Sequence, residues 1–94
     1  MSAQRRRAYL TRPETARASN ERIAARAQRY RFTSRVPMLC ECSDESCGEL
    51  FLISLDDYRE ARTRDLFLTV PEHVVEDAAP VGREADYWLQ AASG

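Results

Sequence analysis

Three cysteines confined to one short polar segment restrict the fold of this chain more than any other feature. They belong to the run Cys40-Glu41-Cys42-Ser43-Asp44-Glu45-Ser46-Cys47-Gly48, and the single histidine, His73, follows an intervening apolar stretch. Free cysteine is usually buried among apolar groups, whereas the residues around these three are polar and acidic. The pattern therefore indicates a ligand cluster, and ordinary packing is the alternative interpretation.

The spacing of these residues suits a zinc ion. In an extended segment Cys40 and Cys42 would point to the same face with Cα atoms ~6.6 Å apart, close enough for both sulfurs to bind one ion. The interval from Cys42 to Cys47 lies within the usual range for paired zinc ligands, and Gly48 is free to adopt a positive φ. We therefore predict a Zn²⁺ site formed by Cys40, Cys42, Cys47 and His73, with Asp44 as the alternative fourth ligand.

A Cys3His set leaves no coordination position open to water, so it is typical of a structural zinc site. In so short a chain the metal would supply folding free energy that a thin core lacks. The neighbouring acids Glu41, Asp44 and Glu45 would oppose the thiolates electrostatically. The same thiols could instead form a redox sensor, because oxidation would eject the metal. The odd number of cysteines argues against a disulfide framework.

Charge divides the chain into a basic N-terminal part and an acidic remainder. Residues 1–38 hold ten Arg against two Glu, a balance of +8, whereas residues 39–94 hold four Arg against thirteen acidic residues, a balance of −9. We predict a flexible basic tail (1–12), an Arg-rich helical arm with its linker (13–36) and a zinc-binding body (37–94). We see no leader peptide and no apolar run of membrane-spanning length, so we expect a cytoplasmic protein.

A helix is predicted from about Pro13 to about Tyr30. Thr11 is a good N-cap, Pro13 suits the first turn, and Glu14 completes a capping-box pattern. The apolar positions at helical spacing are few: Ala16, Ile23, Ala27 and Tyr30, interrupted by Asn20. We therefore expect this helix to be loosely attached to the body, or to be completed by a partner.

The fold class predicted for the chain is α+β: the N-terminal Arg-rich helix plus a small zinc-stapled sheet carrying one capped helix. Ser54 begins the pattern of that second helix, which runs to about Arg64 with acidic residues in its first turn. A turn is predicted at Val81-Gly82-Arg83. The predicted strands are Met38–Cys42, Leu50–Ile53, Leu66–Val70, one beginning near Val74, and Asp86–Ala91.

The stretch from Val36 to His73 resembles a group of small, uncharacterised actinobacterial proteins that look zinc-binding. These proteins share a C-x-C-x4-C turn, a Tyr-containing helix and a strand ending in Pro and His. The matching residues are Leu39-Cys40-Glu41-Cys42 with Cys47, Ile53-Ser54-Leu55-Asp56-Asp57-Tyr58 with Arg62, Leu66 to His73, and Asn20-Glu21. The resemblance implies a zinc site at Cys40, Cys42, Cys47 and His73 and brings no activity with it. The group tends to have Gly where this chain has Glu72.

We expect the protein to act by binding a macromolecular partner through its basic helix. The candidate contacts are Arg22, Arg26, Arg29 and Tyr30. A nucleic acid is the alternative partner, because guanidinium groups pair with phosphate, although the acidic body could neutralise the helix internally. Catalysis is not expected: the single histidine is assigned to metal, phosphate-loop and nucleophile-elbow motifs are missing from the sequence, and Asp56-Asp57 fits a helix cap. No small-molecule substrate or membrane partner is evident.

Overall fold

A computed structural model describes residues 10–93, so the Arg5–Arg7 cluster of the predicted tail lies outside the described residues. The helices are α1 (Arg12–Arg29) and α2 (Leu55–Thr63), and the strands are β1 (Val36–Leu39), β2 (Leu50–Ile53), β3 (Phe67–Thr69), β4 (Ala78–Arg83) and β5 (Trp88–Ala92). The strands form an antiparallel β1–β2 pair and an antiparallel three-stranded sheet in the order β3-β5-β4. The predicted α+β class is confirmed.

Helix α1 begins at the predicted capping box. The Thr11 side chain accepts a hydrogen bond from the Glu14 N–H, and the Glu14 carboxylate accepts one from the Thr11 N–H at 3.0 Å. Together these two bonds satisfy N–H groups that a helix start leaves unpaired. The first helical residue is Arg12, one position earlier than predicted, and Tyr30 is the C-cap. Neither described helix has the length and apolar character needed to cross a membrane.

The expectation that α1 is loosely attached is wrong, because polar side chains hold it. Asn20, which interrupts the apolar face, is fully buried. Its amide donates to the Leu39 carbonyl at 2.9 Å and accepts from the Leu39 N–H at 2.8 Å. A side-chain amide has the same donor and acceptor as a peptide, so Asn20 completes the open edge of β1. An ion pair between Arg17 and Asp65 at 2.7 Å adds a second attachment.

Helix α2 matches its predicted extent and contributes to the core. The Ser54 hydroxyl caps it by accepting from the Asp57 N–H at 3.1 Å, and Arg64 is the C-cap. Its inner face buries Tyr58 and Ala61. The core into which they pack also contains Val36, Met38, Phe51, Ile53, Leu66, Leu68 and Tyr87, with Ile23, Ala24 and Ala27 of α1 against it. The core therefore lies between both helices and both sheets.

Two predictions about the C-terminal strands are wrong. No strand starts near Val74; the chain turns there, and β4 begins at Ala78 after Asp77, which has a φ of 62°. The Val81–Arg83 segment belongs to β4 instead of forming a turn, with a bulge between Pro80 and Gly82. A Cβ at Gly82 would lie 2.6 Å from Leu89 Cδ1. Because Gly82 has no side chain, Leu89 of β5 can pack close to the backbone of β4 at the bulge.

Candidate metal centre

The segment after β1 carries the three cysteines past the edge of β3. The Cys40 N–H donates to the Glu49 carbonyl at 3.0 Å, which extends the β1–β2 pairing beyond the strand ends. The next N–H, of Glu41, donates to the Leu68 carbonyl of β3 at 2.9 Å. The Cys47 N–H closes the turn by donating to the Asp44 carbonyl at 3.0 Å. Because His73 lies four residues after the end of β3, the bond between Glu41 and β3 brings His73 near the cysteine turn.

The four predicted ligands are brought together. Ligand atoms of Cys40, Cys42, Cys47 and His73 all lie within 4.8 Å of one another. His73 Nδ1 is 3.5 Å from Cys40 Sγ and 3.6 Å from Cys47 Sγ. Around a tetrahedral zinc with bonds of ~2.3 Å to sulfur and ~2.0–2.1 Å to nitrogen, S–N separations are ~3.5–3.6 Å. These two sulfur–nitrogen distances thus match those around a tetrahedral zinc ion.

The two nitrogens of His73 face different groups. Nδ1 is directed at the sulfurs, while Nε2 lies 3.4 Å from Glu49 Oε2. A histidine ligand commonly donates its other ring N–H to a carboxylate, which fixes its tautomer and orientation. The Gln90 amide of β5 donates to the His73 carbonyl at 2.7 Å and positions the backbone as well. His73 would therefore bind an ion through Nδ1.

The thiols are unpaired, with Cys40 and Cys42 buried and Cys47 half-buried. Burial raises the pKa of the Cys40 thiol to about 12, although an N–H from Val70, 3.2 Å from the sulfur, acts in the opposite direction. A buried thiolate is unfavourable unless a positive charge accompanies it. A divalent cation would provide that charge in place of the proton.

Asp44, the alternative fourth ligand, is engaged elsewhere. Its Oδ1 accepts hydrogen bonds from the Ser46 N–H at 2.9 Å and the Ser46 hydroxyl at 2.8 Å. These bonds lower the pKa of the Asp44 carboxyl below its ordinary value. The residue folds the turn as an Asx motif, and the structure groups His73 with the cysteines instead.

Glu41 does not oppose the thiolates, because its side chain points into the core. The carboxylate is completely buried. It accepts hydrogen bonds from the Asn20 amide at 2.7 Å and from the Leu68 N–H at 2.8 Å, and it forms an ion pair with Arg62. Glu41 therefore joins α1, α2 and β3 at the residue that separates two metal ligands.

Arg62 reaches Glu41 from α2. The guanidinium also donates to the Leu66 carbonyl at 2.8 Å and lies over the Tyr58 ring at 4.6 Å from its centroid. Burial acts to lower the pKa of Arg62, but the charge and hydrogen bonds of Glu41 outweigh it, so that this pKa lies above its ordinary value. Both charged groups of the ion pair therefore have hydrogen-bond partners in addition to the opposite charge.

Arg12 is a contact of the cysteine turn that the sequence did not reveal. Its Nη1 donates to the Cys40 carbonyl at 2.6 Å and the Cys42 carbonyl at 2.8 Å, and its Nη2 donates to the Cys47 carbonyl at 2.8 Å. Arg12 occupies the first position of α1, where the helix dipole disfavours a cation. An arginine at this helix position was a sign in the sequence that its side chain has another contact. The position does not indicate which residues it contacts.

The turn before His73 forms with Glu72 at a φ of 71°. This left-handed region favours glycine, the residue that tends to occupy the position in the resembling proteins. The His73 N–H donates to the Val70 carbonyl at 3.1 Å across this turn. Glu72 therefore makes the same kind of turn at some cost in backbone strain.

The predicted partner contacts lie away from the metal centre. Arg22, Arg26, Arg29 and Tyr30 are all exposed on α1 and its C-cap. Arg22 donates to the Ser19 hydroxyl at 3.4 Å. Within positions 10–93, no ion pair joins Arg22, Arg26 or Arg29 to an acidic residue. They form what we call the outer face of α1.

Comparisons of the chain with protein-family models, with curated proteins and with solved structures found no match. The geometry of the Cys3His group is therefore the basis for assigning a function.

Proposed function

We propose that this protein is a small zinc-binding interaction module, in which a structural Cys3His centre supports a helix that binds a macromolecular partner. The observation that carries the proposal is the convergence of four ligand atoms within 4.8 Å of one another, with two sulfur–nitrogen distances suited to tetrahedral zinc. Three sulfurs and one imidazole match zinc among the common metals, because softer ligands select it over calcium or magnesium. Kinship with the small actinobacterial proteins that look zinc-binding is part of this proposal.

The centre fits a structural role better than a catalytic one. Its four protein ligands complete a tetrahedron, so a bound ion would have no position left for water or substrate. Two of the ligands also have a neighbour that can orient them: Glu49 lies beside His73, and the Val70 N–H lies beside the Cys40 sulfur. Such supporting contacts orient the ligands and strengthen metal binding.

The metal content can be measured directly. Native mass spectrometry of protein purified without added metal is expected to give one zinc per chain. Counting of reactive thiols should show slow modification of Cys40, Cys42 and Cys47 until a chelator removes the ion. A folded, metal-free protein whose three thiols react at once would contradict the zinc assignment, and a second metal in place of zinc would revise it.

The outer face of α1 is the proposed partner surface. Arg22, Arg26 and Arg29 recur at helical spacing, which places them on one side of the helix. That side faces away from Asn20, whose contacts fix which side of α1 meets the body. Tyr30 follows at the helix end with 70% of its surface exposed. A row of guanidinium groups without acidic partners suits a partner that carries negative charge.

A nucleic acid is the second candidate, favoured by the lack of ion pairs on this face. Fluorescence anisotropy with a labelled DNA duplex would detect binding at low salt. Replacing Arg22, Arg26 and Arg29 together with Gln should weaken it and flatten the dependence of log K on log salt. Each lost phosphate contact changes that slope by about 0.9, so we expect a change of roughly 2 to 3.

The matched control removes the same charge from the body, by replacing Arg59, Arg64 and Arg83 with Gln. This control variant should bind the duplex almost as the wild-type protein does, apart from a small general effect of net charge. Equal losses in both variants would contradict a specific role for the outer face. No binding by the wild-type protein at low salt would exclude duplex DNA as the partner and favour an acidic protein surface.

A further inference from the structure

We propose that Arg12 is a positioning residue of the metal centre and that it couples metal occupancy to the docking of α1. This inference rests on the metal site of the proposed function and extends it to a residue outside the ligand set. Arg12 contacts the backbone of each of the three cysteines through one guanidinium group.

The geometry of these contacts defines what Arg12 does. The carbonyls of Cys40 and Cys42 converge on Nη1, and the carbonyl of Cys47 meets Nη2. Cys47 lies across the polar turn from the other two, so the planar fork bridges the two ends of that turn. Such a bridge holds the cysteine backbones at the spacing at which their sulfurs meet His73 Nδ1.

Charge supports the same assignment. Three thiolates and one Zn²⁺ leave the centre with a net charge of about −1 when His73 is neutral. The guanidinium of Arg12 offsets this charge, with Nη1 4.0 Å from Cys42 Sγ. Arg12 also occupies the helix position least suited to a cation. Its placement there is explained by the turn that it contacts.

The docking of Arg12 and the binding of metal affect each other. If Arg12 strengthens metal binding, thermodynamic linkage requires that metal binding strengthen the docking of the Arg12 side chain by the same factor. Arg12 begins the helix whose outer face is the proposed partner surface. Metal binding would thus stabilise the docked start of α1 through Arg12, although Arg12 is not itself a ligand.

Metal release to a chromogenic chelator tests the inference in the full-length zinc protein. Arg12→Gln should bind zinc about 10- to 100-fold more weakly than the wild-type protein, or release it correspondingly faster, as expected for a residue that supports metal ligands. Arg12→Lys keeps the charge but loses the fork, and should fall between the two. Arg17→Gln is the matched control, because Arg17 ties the same helix to Asp65 without touching the cysteine turn.

Cobalt(II) spectra separate positioning from a general effect on stability. Loss of the positive charge near Cys42 should move the thiolate-to-cobalt charge-transfer band of Arg12→Gln to longer wavelength, while that of Arg17→Gln stays in place. Hydrogen exchange should show faster opening of the first turn of α1 in Arg12→Gln. Unchanged zinc release in Arg12→Gln, or equal changes in Arg17→Gln, would overturn the inference alone. Failure of the wild-type protein to bind metal would overturn the proposed function as well.

Discussion

Removal of the zinc ion that we propose at the Cys3His group is expected to unfold most of the protein. Structural zinc contributes on the order of 10 kcal/mol in small domains, which is comparable to the entire stability of a typical domain of this size. The cysteine turn is bonded through Cys40 to Glu49, the residue before β2, and through Glu41 to Leu68 of β3, so its loss would disturb both sheets. Far-UV circular dichroism during heating should show a cooperative transition with zinc and a greatly lowered or absent one after chelation.

Variants of the same turn make this test specific. Cys47→Ser removes a ligand and should reproduce the effect of the chelator even when zinc is present. Glu45→Gln changes an exposed neighbour in the turn and should melt as the wild-type protein does. Adding zinc, but not magnesium, should restore the chelated protein. A metal-free protein with an unchanged thermal transition would contradict the structural role of the centre.

Replacing Arg62 with Met is expected to destabilise the zinc-loaded protein by about 3–5 kcal/mol, because it leaves a buried carboxylate without its counter-charge. Glu41 is completely buried and the Arg62 side chain is only 11% exposed, so water cannot compensate. The free energy of unfolding from denaturant titrations of the zinc-loaded protein provides the measurement. The apolar stem of Met retains much of the packing, so the loss reports the guanidinium group and its contacts with Glu41, Leu66 and Tyr58.

Two further variants test the explanation. Arg59→Met removes an exposed ion pair with Asp56 on the same helix and should change the stability by less than about 1 kcal/mol. The double variant Arg62→Met with Glu41→Gln removes both charges and should be more stable than Arg62→Met alone. If the double variant is instead the less stable of the two, the buried charge is not the source of the loss.

Local patterns were sufficient to predict both helices and the grouping of the three cysteines with His73. The caps at Thr11 and Ser54 depend only on neighbouring residues, so they could be recognised without knowledge of the fold. The four residues could be grouped from the sequence because zinc restricts both the type and the spacing of its ligands. The same reasoning failed at Val81–Arg83, where Gly82 was assigned to a turn although it serves the close approach of Leu89.

The contacts that join the elements could not be predicted from local patterns. Asn20 interrupts the apolar face of α1, and the positions of Leu39 and Glu41 explain why an amide is buried there. Glu41 is unfavourable beside thiolates until Arg62 is known to lie on its other side. Both residues form hydrogen bonds or ion pairs with residues far away in the sequence. The periodicity of a helix or strand does not predict such contacts.

The burial of Glu41 explains why a single residue separates Cys40 from Cys42. One intervening residue in an extended segment faces the opposite side from its neighbours, so the two cysteines face the metal site while Glu41 faces the protein interior. Lengthening the interval to the more common two residues would turn this side chain away from Asn20 and Arg62. We therefore expect the effect of a substitution at position 20, 41 or 62 to depend on the residues at the other two.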